Sequence, residues 1–125
     1  MNSLVTDSLV IGAAIHLLPI TGLLGKKSLS KLYGVTELES NTEILLRHRA
    51  VLFGLLGVFL AFSAFEVSLQ VLGLAGGTAS TASFLVLARQ VGDYNAQLSR
   101  VVVADIIALV ALVVGTAAYV FRGGA

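Results

Sequence analysis

An all-α fold, a four-helix transmembrane bundle in one domain, is predicted by three features of the sequence. The 125 residues are 57% hydrophobic and 12% charged, with a mean hydropathy of +0.96, whereas soluble domains carry about 25% charged residues. Four apolar runs, each near the ~20 residues that a membrane helix needs, take up almost the whole chain. The charged residues gather at the edges of those runs.

Span one covers about residues 5–25. The stretch MNSLVTDSLVIGAAIHLL carries Asp7 in place of a basic leader and reads as a retained span. Pro19, the only proline, frees a backbone carbonyl and bends a helix. Residues 26–42 form the longest polar stretch, an interfacial loop in which Leu29, Leu32, Tyr33 and Val35 suggest a short amphipathic element. Asn41 or Thr42 with Glu43 marks a helix start, so span two covers about 43–65. A tight turn near Phe65 to Ser68, with Glu66 its sole charge, leads into span three at 68–89. Residues 90–99 make the next connection, with Gly92 and Asn95 as breakers, and span four covers about 100–121.

Lysine and arginine fall unevenly: Lys26, Lys27, Lys31, Arg47 and Arg49 near the first connection, Arg89 and Arg100 around the third. The positive-inside rule then sets both longer loops in the cytoplasm and both termini outside. Small residues allow helices in lipid to approach closely. Gly73, Gly77 and Thr81 at spacing four read either as a dimerisation face, or a contact with a larger complex, or as a groove packing the helices of one chain. Gly54 and Gly57 in span two and Ala104, Ala108, Ala111 and Gly115 in span four extend that pattern.

Zero cysteines exclude disulfides and thiolate chemistry. No clustered basic face points to nucleic acid. His16 and His48, with at most Asp105 or Asp93, lack a recognised metal-ligand spacing, and no cofactor motif is present.

The run ILLRHRAVLFGLLGVFLAFSAF at 44–65 sets Arg47, His48 and Arg49 inside the edge of a lipid-soluble segment. A charge at the centre of a membrane helix costs about 2.5 to 3.5 kcal/mol on insertion scales, so something must offset it. Two residues apart is about 200° around a helix, so one arginine faces the bundle while the other snorkels to the headgroups. Asp105 lies about 7 Å beyond Arg100 along span four, level with the arginines. The sharpest structural expectation is therefore a buried pair between Asp105 and Arg47 or Arg49. Orphaning such a charge with Asp105→Ala would cost about 3 to 5 kcal/mol. His16 lies about 13 Å from the cytoplasmic end of span one. It reads as a silent donor to a backbone carbonyl, a proton carrier or a ligand contact. Tyr94 and Asn95 close over the cavity mouth or act as interface anchor and cap.

The order IHLLPITGLLG, KLYGV, LLRHRAVLFGLLG and GDYNAQLSRVVVADIIALV resembles a family of small bacterial four-helix membrane proteins of unknown function, distantly similar to the DoxX-like group. The likeness runs from His16 to Asp105 and implies four spans without supplying an activity. Members of that family often bear the label phosphopantetheine adenylyltransferase. It is rejected, because that enzyme is a soluble α/β protein with a paired-histidine motif absent from this chain. DoxX-like relatives are linked to quinone-related redox systems, which is a fold-level analogy here.

The leading functional expectation is a binding module. Membrane lipid or quinone would sit with its head near His16, Arg47, His48, Arg49, Tyr94, Asn95 and Asp105 on the cytoplasmic side. Competing readings are an accessory subunit of a membrane complex, a transporter, and a membrane isomerase or hydrolase using His16 as acid or base with Asp105. The last requires His16 and Asp105 to share a cavity.

Overall fold

The computed structural model describes residues 2–123, which are mostly helical with no strand among them. Five α-helices follow in order: α1 (Ser3–Leu17), α2 (Lys26–Tyr33), α3 (Ser40–Phe65), α4 (Gln70–Val91) and α5 (Ala96–Gly123). Four helical stretches, Ser3–Leu24, Ser40–Phe65, Val67–Val91 and Ala96–Arg122, are long and apolar enough to cross a membrane. The fifth helix, α2, is the short amphipathic element of the polar segment.

Span one is not uniformly α-helical. From Leu18 to Leu24 the chain tightens to a 3-10 helix, because Pro19 has no N–H to donate and its ring crowds the carbonyl one turn back. Gly25 at φ 130° then redirects the backbone, and its carbonyl accepts from the Leu29 N–H at 3.0 Å. Helix α2 turns Leu29 and Tyr33 into the protein and leaves Lys27 and Lys31 exposed. It ends on Gly34, whose φ of 67° is the left-handed geometry of a helix C-terminus.

Two boundaries differ from the sequence expectation. Helix α3 begins at Ser40, so Asn41 and Thr42 lie inside its first turn and Glu39 is the cap residue. Helix α5 begins at Ala96, four residues earlier than expected. The Asn95 side-chain oxygen accepts from the Leu98 N–H at 2.8 Å, capping a helix that absorbs much of the expected loop. Gly92 and Asp93, both at positive φ, complete that turn. The opposite connection is as tight as expected, with exposed Glu66 at its corner.

Helix α1 packs against α3 and α5, and α4 closes the ring against the same two helices. Helices α3 and α5 therefore stand at opposite corners without extended packing between them. The shared core joins Leu9 and Ala13 of α1 to Leu60 and Ala64 of α3, Leu74 of α4 and Leu112 of α5. Large apolar side chains such as Leu55, Phe62, Leu72 and Val110 point outward, while Ser8, Ser63, Gln70 and Thr81 are buried. This inversion suits helices whose outer solvent is hydrocarbon.

Gly73, Gly77 and Thr81 face inward and are buried. A side chain at Gly77 would meet Leu112 at 3.0 Å and Leu60 at 3.3 Å. Within the chain, Leu112 of α5 and Leu60 of α3 pack into the space beside Gly77.

Candidate functional site

The two arginines of α3 separate as their spacing requires. Arg47 is exposed; its Nη1 reaches Glu43 one turn back at 3.2 Å and its Nε donates to the Leu23 carbonyl at 3.1 Å. Lys26 adds a second ion pair to Glu43 at 3.7 Å. Arg47 therefore belongs to a surface cluster around Glu43, which sequence reasoning treated only as a helix-start residue.

Arg49 turns inward. Its guanidinium lies 4.1 Å from the ring centroid of Phe53, 5.3 Å from that of Tyr33 and 5.5 Å from that of Phe84, and Nη1 donates to the Tyr33 hydroxyl. The negative faces of aromatic rings attract a cation, most strongly where water is scarce. Phe53 follows Arg49 by one helical turn and so shares its face, a spacing from which it was recoverable in the sequence. Burial pushes the Tyr33 phenol above its ordinary value of 10.0, although the neighbouring Arg49 charge pulls the other way.

Asp105 is 6% exposed and faces the same cavity as Arg49, a space of about 190 Å³. The expected salt bridge between them does not close: among the described residues the ion pairs are those of Glu43 with Lys26 and Arg47. The reason lies in the packing, since α3 and α5 occupy opposite corners. Asp105 has no hydrogen-bond partner among the described side chains and backbone groups. Ile15, Leu18 and Pro19 from the first span, Phe53 from α3, and Val101 and Ala104 from α5 supply its apolar lining. Lys31, Gln97 and Arg100 complete its polar lining, with Lys31 and Arg100 exposed and so placed at its mouth. Three cationic side chains thus share one cavity with one carboxylate.

The remaining expected site residues lie apart from this cavity. His16 is buried, with Nδ1 2.7 Å from the Gly12 carbonyl oxygen and Nε2 2.9 Å from Ser80 Oγ. A neutral ring donating from Nδ1 and accepting the serine proton satisfies both contacts. Its ring also lies 5.4 Å from that of Phe53, but His16 does not line the Asp105 cavity. Among the described residues, the cavity that Asp105 lines is therefore not one it shares with His16, as acid–base chemistry between the two would need. His48 is exposed and borders an outer groove with Leu45, Leu52 and Ser80.

Tyr94 lines a neighbouring depression that also includes Tyr33 and Arg49. Asn95 is a tie between elements: besides capping α5, it donates from Nδ2 to the Tyr33 carbonyl at 2.6 Å. That bond pins the end of α2, and with it Tyr33, against the start of α5. Sequence reasoning did not select Lys31, Gln97 and Phe84, because only the fold brings α2, α5 and α4 to Arg49; Phe53 was also passed over, although its spacing from Arg49 was there to be read.

No protein-family model, curated protein or solved structure matches the chain.

Proposed function

We propose that the chain is a four-span bundle of the bacterial inner membrane, with both termini outside. In this reading it is a small DoxX-like binding protein that holds an amphiphile, a lipid or quinone, by its polar head in the Arg49–Asp105 cavity at the cytoplasmic end. One observation carries it: a cation seated among Phe53, Tyr33 and Phe84 and an unpartnered, nearly buried carboxylate face one cavity without neutralising each other.

An uncompensated buried charge is expensive, so such a pair persists to advantage where a third group completes it. The apolar walls at Ile15, Leu18 and Val101 supply the surface along which a tail would leave, and the outward leucines and valines fit a lipid environment. Arg49 and Asp105 are the central contacts in this reading, Lys31 and Arg100 the outer ones, and Tyr94 borders the adjoining groove.

Native mass spectrometry of the protein purified gently from its own membranes, followed by organic extraction, tests the proposal. A bound amphiphile that is depleted by Arg49→Met is the expected result. Protein that is free of any such molecule in every preparation, and that takes none up when offered lipid extract, would overturn it.

A further inference from the structure

We infer that the head held in this cavity is a phosphomonoester with a hydroxyl a few bonds away on the tail side, the chemistry of a monoacyl glycerol phosphate. This rests on the binding role proposed above and names its ligand class.

The charges come first. Lys31, Arg49 and Arg100 face the cavity with Asp105, so with each group carrying its ordinary charge cations exceed carboxylates by two. A phosphomonoester carries roughly −1.5 to −2 near pH 7 and offers three acceptor oxygens, matching that excess; a phosphodiester or a carboxylate brings only one negative charge. Arginine adds the planar donor fork that suits phosphate oxygens.

Asp105 supplies the second, independent constraint. It is 6% exposed, lines the cavity and finds no donor among the described residues. An ionised carboxylate only accepts hydrogen bonds, so a ligand that displaces water from the cavity has to bring the donor itself. Depth selects which donor: Lys31 and Arg100 are exposed at the mouth, whereas Asp105 is buried. The phosphate therefore sits outermost and the donor further in. In an aminophospholipid the ammonium lies on the water side of the phosphate, the wrong order. In a monoacyl glycerol phosphate the free hydroxyl lies between phosphate and chain, the required order. The cavity of about 190 Å³ is also smaller than the roughly 300 to 1,000 Å³ of sites that enclose a drug-sized ligand. It admits a glycerol phosphate head and leaves the chain outside along exposed Leu18.

The test is a titration of the full chain in phosphatidylcholine nanodiscs, read by native mass spectrometry. The probes are a lysophosphatidate, its deoxy analogue without the hydroxyl, a lysophosphatidylglycerol (a phosphodiester) and glycerol 3-phosphate. Lysophosphatidate should bind about tenfold or more tighter than the deoxy analogue and the diester, the value of one charge-assisted hydrogen bond. Arg100→Gln, at the exposed mouth and thus outside the packed core, should weaken lysophosphatidate by about the same factor. Asp105→Leu should bind the hydroxylated and deoxy probes equally; should that variant not fold, the wild-type comparison of the two probes decides the point alone. Displacement of lysophosphatidate by millimolar glycerol 3-phosphate would identify a soluble ester as the source, and its failure to compete a lipid. Equal binding of monoester and diester overturns this inference while leaving the binding role standing. Absence of binding by every amphiphile overturns both.

Discussion

Arg49 and Asp105 face one cavity from helices at opposite corners of the fold, and no ion pair closes between them. The guanidinium instead rests on Phe53 at 4.1 Å and donates to the Tyr33 hydroxyl. Its charge is thus partly compensated by ring faces and a neutral acceptor, which leaves the carboxylate without a protein donor. The relationship separates two pictures of the interior, a closed salt bridge and an open receptor, and they predict opposite responses to mutation.

In the open picture Asp105→Asn breaks no hydrogen bond, so stability should stay within about 1 kcal/mol of the parent or rise as a buried charge is removed. Thermal or denaturant unfolding in detergent measures this. A loss of about 3 kcal/mol or more, the penalty for orphaning a buried partner, would show that the salt bridge forms after all.

Phe53 serves two neighbours, the Arg49 guanidinium at 4.1 Å and the His16 ring at 5.4 Å. Phe53→Leu keeps apolar bulk but removes the ring face, and should lower stability by about 0.5 to 2 kcal/mol, the range of a cation–π contact. Repeating the substitution in an Arg49→Met background isolates the interaction. If the effect of Phe53→Leu is unchanged there, the contact with Arg49 contributes nothing.

Gly34 and Asn95 hold α2 at the cavity. At φ 67° a Cβ on Gly34 would stand 2.7 Å from Asn95 Nδ2 and from Gln97 Oε1, so Gly34→Ala should cost at least the ~1 to 2 kcal/mol of a left-handed non-glycine residue. Asn95→Ala should cost about 0.5 to 2 kcal/mol through the lost cap, while Asn95→Asp keeps the cap acceptor and loses the donor to Tyr33. Hydrogen exchange in residues 26–33 should rise in all three variants.

The raised phenol of Tyr33 gives stability a pH dependence of definite sign. Because the folded state holds this proton more tightly than the unfolded chain does, the contribution is fully present below pH 10.0 and is lost as pH rises through the folded value. Unfolding measured from pH 8 to about 12 should show a steeper alkaline loss for the parent than for Tyr33→Phe. Identical profiles would refute the assignment.

Neighbouring glycines in α4 should behave oppositely. A Cβ at Gly77 meets Leu112 at 3.0 Å and Leu60 at 3.3 Å, whereas at Gly76 it meets only Leu56 at 3.8 Å. Gly77→Ala should destabilise by about 1 to 3 kcal/mol through overpacking. Gly76→Ala should be neutral or stabilise by about 0.4 to 1 kcal/mol by restricting the unfolded chain. Equal effects in an unfolding assay would place the packed face elsewhere.

The four apolar stretches, the tight corner at Glu66 and a disturbance of the helix at Pro19 were legible in the chain because each follows from local chemistry: sustained hydropathy, a lone charge between two runs, a missing N–H; that the disturbance takes the form of a 3-10 helix was not. The opposite orientations of Arg47 and Arg49 follow from helical periodicity in the same way. The early start of α5 was less legible, since Asn95 can serve either as a breaker or as a cap and only the backbone around Gly92 and Asp93 selects the cap.

The sequence by itself determined that this chain is helical, that its helices suit lipid, and that one arginine of the pair must turn inward. Tertiary structure decided which partner each arginine meets. Helix order around the ring sets α3 across from α5, so Arg49 meets the aromatic rings of α2, α3 and α4 while Asp105 is left facing an open cavity. Such pairings depend on distances between residues far apart in the chain, which no local periodicity encodes.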